Sequence, residues 1–331
     1  MNRRTVLKTL GFTAALPWTP LARAAGGAYA SRPIRLVVPY PPGGVTDVAA
    51  RLAGELLTAR YGQPVVVENR PGASGLIGQQ LVAAAAPDGY TFIMGGLGGN
   101  VLPPVTVRGL PLDVPKTFVP VAQIAEFVNV LVAAKESPLS NVQEFLAYAK
   151  SKPAGSLSYG SNGIGTSAHL TTEFFAQRTG LKMQHVPYKG SNELNIDVAN
   201  GNLDFCFSNL PPVLPLIKKG NLKALAVTSS YRSKQLPQVP TFEESGMADF
   251  DVTSWLGVYA PAGVPAPLVQ ELGKVIAQGV DQPSVRERLQ TAGFEPQPRD
   301  ADGFAALNQR ELERWGAIAR QANVVIEFGK G

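Results

Sequence analysis

The chain has one cysteine and two histidines in 331 residues. A lone cysteine excludes an intrachain disulfide. Two isolated histidines with no partner thiol leave room for an oxygen-ligand metal site at most, so no metal is expected. Cys206 lies in the apolar run Leu203-Asp204-Phe205-Cys206-Phe207 and reads as a buried structural thiol. After the first two dozen residues, nothing approaches the roughly 18–20 uninterrupted apolar residues of a membrane-spanning helix. A basic stripe interleaved with aromatics is also missing, which argues against a nucleic-acid partner. Two further absences are a G-x-x-x-x-G-K-[ST] phosphate loop and a G-x-S-x-G nucleophile elbow.

Residues 1–24, MNRRTVLKTLGFTAALPWTPLARA, have a basic start, a short apolar middle and the small-residue end Ala22-Arg23-Ala24. That is the pattern of an export signal cleaved near Ala24, too short to span a membrane. Arg3-Arg4 followed by Val6-Leu7-Lys8 resembles a twin-arginine signal; an ordinary secretory signal with two arginines is the alternative. The segment holds Arg3, Arg4, Lys8 and Arg23 and no acid. The formal net charge of +5 therefore falls to +1 once it is removed.

The rest alternates strand and helix signals. Strands are expected at 34–38, 65–68, 91–94, 119–125, 128–133, 157–160, 183–186, 203–207, 222–228 and 257–260. Helical patterns lie at 46–60, 75–85, 141–150, 166–178, 191–200, 212–218, 265–280, 283–291 and 301–320. Gly62 and Gly180 supply helix stops, and Ser140 or Asn141 a start. Runs such as LVV and ALAV are apolar throughout, which predicts parallel strands covered on both faces and an α/β fold. The long apolar stretch 119–133 has the character of a strand passing between two lobes, with 254–262 as the return.

Two strand-to-helix turns are rich in glycine and small polar residues: Tyr40–Asp47 (YPPGGVTD) and Tyr159–His169 (YGSNGIGTSAH). Gly163-Ile164-Gly165-Thr166-Ser167-Ala168 fits G-x-G-x-x-A, but the acid that would hold a ribose is missing: the next strand ends His185-Val186-Pro187-Tyr188-Lys189, with no acid before Glu193. No dinucleotide or other cofactor is expected. Ser161, Ser167 and His169 cluster, yet residues two apart on a helix do not face each other, so a hydrolase would have to recruit His185. The positive reading is anion capture. Gly43, Gly44, Gly163 and Gly165 bare the backbone, while Thr46, Ser161, Asn162, Thr166 and Ser167 add hydroxyl and amide groups. Two helix N-termini add partial positive charge. Neither turn contains Lys or Arg, which suits a small carboxylate better than a polyphosphate. Asp47 reads as a helix cap rather than a ligand contact.

PYPPGGVTDVAARLAGELL, YGQPVVVENRPGASGLIGQQLVAAAAPDGYTFIMG, HVPYKGSNELNIDVANGNLDFCFSN, LKALAVTSSYRSKQLPQVPTFEESG and SWLGVYAPAGVP, in this order over residues 31 to about 298, resemble the periplasmic solute receptors of the tripartite tricarboxylate transporter family, the Bug receptors. The resemblance implies a two-lobed type II periplasmic binding-protein fold, with 25–126 and 254–331 in one lobe and 127–253 in the other. It also implies a periplasmic, non-enzymatic, monomeric receptor. Such a receptor hands a di- or tricarboxylate, an acidic amino acid or an aromatic acid to a membrane permease. A ligand sensor for a signalling partner and an exported hydrolase are the alternatives. The family's two binding loops map onto Tyr40–Asp47, here with Pro42, and onto Ser161–Ser167. Tyr40 stands where phenylalanine is common, and Gly96–Asn100 is more apolar than the family's pattern. Trp255 and Tyr259 are candidates for the cleft wall, with core packing an even alternative for Trp255.

Overall fold

The computed structural model describes residues 29–322 and 326–328; the export-signal reading of residues 1–24 lies outside them. In chain order the elements begin with β1 (Ile34–Val38), α1 (Val45–Tyr61), β2 (Val65–Asn69), α2 (Leu76–Ala83) and β3 (Thr91–Gly96). A π-helical turn (Leu97–Val101), α3 (Leu102–Thr106), β4 (Val107–Arg108) and α4 (Val114–Thr117) follow. The long strand β5 (Phe118–Ala134) then leads to α5 (Val142–Ser151), β6 (Ser158–Ser161), α6 (Ser167–Thr179), β7 (Gln184–Pro187), α7 (Ser191–Ala199), β8 (Phe205–Asn209), α8 (Leu210–Lys218) and β9 (Leu222–Val227). The chain returns through β10 (Thr253–Pro261) to α9 (Ala266–Val280), α10 (Pro283–Thr291), β11 (Glu295–Arg299), α11 (Ala301–Ala322) and β12 (Ile326–Glu327).

The fold is α/β and two-lobed, because one long sheet is dressed with helices as two separate groups. Its order is β2-β1-β3-β10-β5-β8-β6-β7, with β9 and β11 also paired to β5. The parallel expectation holds for β1 with β2 and β3, and for β6 with β7 and β8. It fails at the centre, where β5 and β10 run antiparallel to their neighbours. Each crossing strand enters the set it joins without a helical crossover and so runs against it, β5 against β8 and β10 against β3.

The break expected between residues 125 and 128 does not exist. β5 runs unbroken for 17 residues, pairing with β10 and β11 through its first part and with β8 and β9 through its second. β11 escaped sequence reading because EPQPR carries two prolines; it is tolerated because it adds only a few, irregularly registered pairs to β5.

The LVV run is explained by burial on both faces. Leu36 and Val38 pack in a core with Ala49, Ala53, Leu57, Ile124 and Val258, while Val37 points into a second core with Ile93, Leu102 and Trp255. The second lobe is built around phenylalanines. Phe175 of α6 is fully buried, its ring centroid 5.4 Å from Phe207, 5.8 Å from Phe145 and Phe242, and 6.2 Å from Phe250. Cys206 is fully buried, as its apolar run predicts, and burial raises its thiol pKa far above the usual value.

Candidate functional site

The carboxyl ends of β1, β3, β6, β7 and β8 converge on a cavity of about 290 Å³ between the lobes. From the first lobe it is lined by Pro39–Pro42, Gly44–Thr46, Gln79, Gly95–Asn100 and Ser254–Leu256. From the second come Asn162, Thr166, Ser167, Lys189–Glu193 and Asn209, and Phe127 of β5 closes the floor.

The first turn is held by Asp47. Its Oδ2 accepts from the Gly43 N–H (3.0 Å) and Arg51 Nε (3.0 Å), and its Oδ1 accepts from Asn69 Nδ2 (3.0 Å) and Arg51 Nη2 (3.0 Å). Asn69 also donates to the Tyr40 carbonyl at 3.1 Å. Burial works to raise the Asp47 pKa; Arg51, the Gly43 N–H and Asn69 outweigh it and hold the carboxyl below its ordinary value. Asp47 therefore fastens the turn, as expected of a cap. Gly43 takes a left-handed φ of 83°, a conformation that favours glycine. Gly44 serves as N-cap without a side-chain bond, so the first N–H groups of α1 face the cavity end of the helix.

The second turn is held by a polar lattice. Thr166 caps α6 and donates to Asn162 Oδ1 (2.9 Å) and the Gly163 carbonyl (2.7 Å). Asn209 Nδ2 donates to Asn129 Oδ1 (2.7 Å) and Ser167 Oγ (3.2 Å), and Asn162 Nδ2 donates to Asn209 Oδ1 (3.3 Å).

Of the twelve residues singled out from sequence, Tyr40, Pro42, Gly44, Thr46, Asn162, Thr166, Ser167 and Trp255 line the cavity. Gly43, Ser161, Gly163 and Gly165 do not, and their polar groups are engaged within the turns. The Gly43 N–H serves Asp47, the Gly163 N–H serves Ser161 Oγ, and the Gly165 N–H serves His169 Nδ1. Tyr259 is a correction: it is buried away from the cavity, its hydroxyl donating to Asn308 Oδ1 at 2.7 Å and its ring against Phe304. Trp255 does both things weighed for it, lining the cavity while its ring stands edge-on to Phe304. Gln79, Asn100, Lys189–Glu193, Asn209 and Ser254 were not foreseen. The rule that ligands gather beyond the carboxyl ends of strands reaches three of the five stretches, because Asn100 follows β3, Lys189–Glu193 follows β7 and Asn209 ends β8; Ser254, at the start of β10, and Gln79, in α2, fall outside it.

Ser161 Oγ does meet His185 Nε2, at 2.7 Å. The pair is unsuited to nucleophilic catalysis, because Ser161 is fully buried and neither residue lines the cavity. His185 is instead sandwiched between Tyr159 (4.8 Å) and His169 (4.3 Å), with the Tyr159 hydroxyl donating to Glu173. Burial lowers the His169 pKa to about 4, and burial with the neighbouring His169 charge lowers His185 to about 4, partly offset by Glu173. The Gly165 N–H donated to His169 Nδ1 requires that nitrogen to stay unprotonated.

The pH consequence has a definite sign. Both imidazoles bind protons less readily folded than unfolded, so their contribution is complete above pH 6.5 and is lost as pH falls towards 4. The slope from His169 is at most about 1.4 kcal/mol per pH unit, and less from the more exposed His185. Urea midpoints of the wild type should fall between pH 6.5 and 4.5 more steeply than those of His169→Gln; equal slopes would refute the assignment.

Two α/β lobes with helix N-termini opening on one inter-lobe cavity define a solute-binding protein. A family model described as Tripartite tricarboxylate transporter family receptor matches residues 49–324, and the chain belongs to that family of periplasmic receptors, in its Bug group. It is 34% identical over 328 residues to Protein BugT of Bordetella pertussis, covering 99% of this chain and 100% of that one. The R. palustris protein Rpa4515 with adipate superposes with a TM-score of 0.85 at 35% identity, over 90% of this chain and 99% of that one. MatC (Rpa3494) from Rhodopseudomonas palustris with bound malate gives 0.82 at 31%, over 88% and 99%. Among the described residues no helix is long and apolar enough to cross a membrane.

Proposed function

We propose that this receptor captures a small carboxylate in the inter-lobe cavity and delivers it to a membrane permease of the tripartite tricarboxylate type. The observation that carries this reading is that α1 and α6 both start at one cavity whose only lining cation, Lys189, is exposed. Helix N-termini and neutral donors then meet the negative charge, and they favour a small carboxylate over a polyphosphate. The cavity volume suits an acid of a few carbons, and the adipate and malate held by the two neighbours belong to that class.

In this reading Tyr40, Pro42, Gly44, Thr46, Asn162, Thr166, Ser167 and Trp255 contact the acid, while Gly43, Ser161, Gly163 and Gly165 set the turns that present them. The lobes comprise 25–126 with 254–331, and 127–253, closing on each other as a monomer. Residues 1–24 direct export and are removed near Ala24.

Thermal-shift titration with adipate, malate, citrate, glutamate and benzoate tests the proposal. A bound acid at 100 times its Kd should stabilise the receptor by about 2.7 kcal/mol. No shift with any member of the panel would refute it.

A further inference from the structure

Several polar side chains of the cavity wall are already engaged or out of reach. Asn162, Thr166, Ser167 and Asn209 bond one another on the second-lobe side. Asn100 Nδ2, Ser254 Oγ and Trp255 Nε1 lack partners but are sealed from any ligand by burial. Two side chains of the first lobe belong to neither set, Tyr40 and Gln79, and both line the cavity.

Gln79, in the first turn of α2, donates from Nε2 to the carbonyl of Gly99 in the π-helical turn, at 2.9 Å. That bond fixes the amide, because turned over it would set Oε1 against the carbonyl oxygen. Gln79 Oε1 is left as an acceptor with no donor among the described residues. Tyr40 accepts through its carbonyl from Asn69 Nδ2 at 3.1 Å, while its hydroxyl has no partner among the described residues. The tip of the ring lies against the start of α2, since a Cβ on Gly75 would stand 3.4 Å from both Cζ and the hydroxyl oxygen. Neither the Tyr40 hydroxyl nor Gln79 Oε1 is sealed in as the three atoms above are, so a ligand atom can touch both.

The two groups face one gap. A Cβ on Gly99 would stand 3.5 Å from Gln79 Nε2 and 3.5 Å from the Tyr40 hydroxyl. Gly99 is not in a left-handed conformation, so what its missing side chain supplies there is space. Burial lifts the Tyr40 pKa to about 12, so its hydroxyl keeps its proton and can donate.

A donor beside an acceptor matches a group that both accepts and donates. We infer that Tyr40 and Gln79, with the room left by Gly99, form a subsite for an alcohol hydroxyl of the ligand, so that the receptor selects hydroxy acids over the same acids without the hydroxyl. This rests on the carboxylate-capture reading and deepens it, because it names the substituent that accompanies the carboxylate. The ligand hydroxyl accepts from the Tyr40 hydroxyl and donates to Gln79 Oε1. A methylene at that place leaves both protein groups without a partner, and a carboxylate oxygen turns its lone pairs on Oε1.

Calorimetric titrations with matched pairs test it: malate against succinate and citrate against tricarballylate, with adipate, glutamate and benzoate alongside. Within each pair the acids differ by one hydroxyl. The wild type should bind the hydroxy acid of at least one pair about 10-fold tighter than its partner, the yield of two neutral hydrogen bonds. Tyr40→Phe removes the donor and Gln79→Leu the acceptor. Gly99→Ala fills the gap with a methyl group at ordinary contact distance. Each should cut the ratio within that pair at least threefold. Tyr40→Phe and Gly99→Ala break no side-chain hydrogen bond of the protein, so they read the subsite even if Gln79→Leu disturbs the fold.

A wild-type preference below about fivefold in both pairs, or binding confined to adipate, glutamate or benzoate, would overturn the subsite and leave the receptor reading intact. So would a Tyr40→Phe variant that keeps the wild-type ratio, or one that loses affinity for both acids of a pair equally, which would show a structural role. A wild type that binds none of the acids would overturn both.

Discussion

Gly98→Leu should abolish tight acid binding while leaving the protein folded. Gly98 lies in the π-helical turn of the first lobe, where a Cβ added to it would stand 3.1 Å from the Ser167 amide nitrogen and 3.7 Å from Thr166. These atoms open α6, so the lobes meet here with no room for a side chain. Even alanine forces the N-terminus of α6 back by a few tenths of an ångström; leucine holds the lobes apart. Water then reaches the cavity, and the donors of α6 no longer approach a ligand seated on the first lobe. We expect a loss of at least 100-fold in affinity for the acid that the wild type binds, about 2.7 kcal/mol. Gly98 is not in a left-handed conformation and neither hydrophobic core includes it, so the unliganded melting temperature should stay near wild type. Unchanged affinity in calorimetric titration would show that closure does not pass through this contact.

Phe175→Ala should be the most damaging single core substitution in the second lobe. The ring touches Phe145, Phe207, Phe242 and Phe250 and is fully buried, so truncation leaves a cavity among side chains that are themselves too stiff to fill it. Truncations of this kind cost about 3–5 kcal/mol. The urea midpoint should fall accordingly with the slope of the transition unchanged; a loss below about 1 kcal/mol would mean the phenylalanine cluster repacks around the gap. Because Phe175 sits two turns along the helix that presents Thr166 and Ser167, the same variant should also raise the amount of acid needed for half-saturation.

Much of this architecture is legible without coordinates because local signals agree with the tertiary arrangement. Leu36-Val37-Val38 followed by Pro41-Pro42-Gly43-Gly44 announces a buried strand handing over to a helix, and each of those residues does that work in the fold. Thr166 and Ser167 announce the start of α6 in the same way. The misses have physical causes. The apolar stretch 119–133 marks β5 as a strand passing between lobes, but Glu126 and Phe127 interrupt its strand pattern, and pairing with β10 on one part and β8 on the other keeps it extended through them. Pro103-Pro104 reads as coil, yet α3 accommodates both prolines in its first turn, where their missing N–H groups are not needed. Asn100, Ser254 and Asn209 are ordinary polar residues in sequence. Their importance comes from burial at a common cavity, which only the packing of two lobes creates. The hydrolase alternative would have had to recruit His185; in the fold that histidine does meet Ser161, but the serine is fully buried, the histidine is stacked between Tyr159 and His169, and neither lines the cavity.

The unbroken β5 also bears on what counts as a module in this molecule. The lobes are not beads on a tether, because one strand supplies backbone hydrogen bonds to both at once. Excising either lobe would cut that strand or strip its partners, leaving a row of bare N–H and C=O groups along an apolar ribbon. Such an edge recruits other chains and drives aggregation. The smallest unit that can be exchanged between receptors by recombination is therefore the pair of lobes, and new ligand preferences must arise by changing side chains around the cavity rather than by swapping halves.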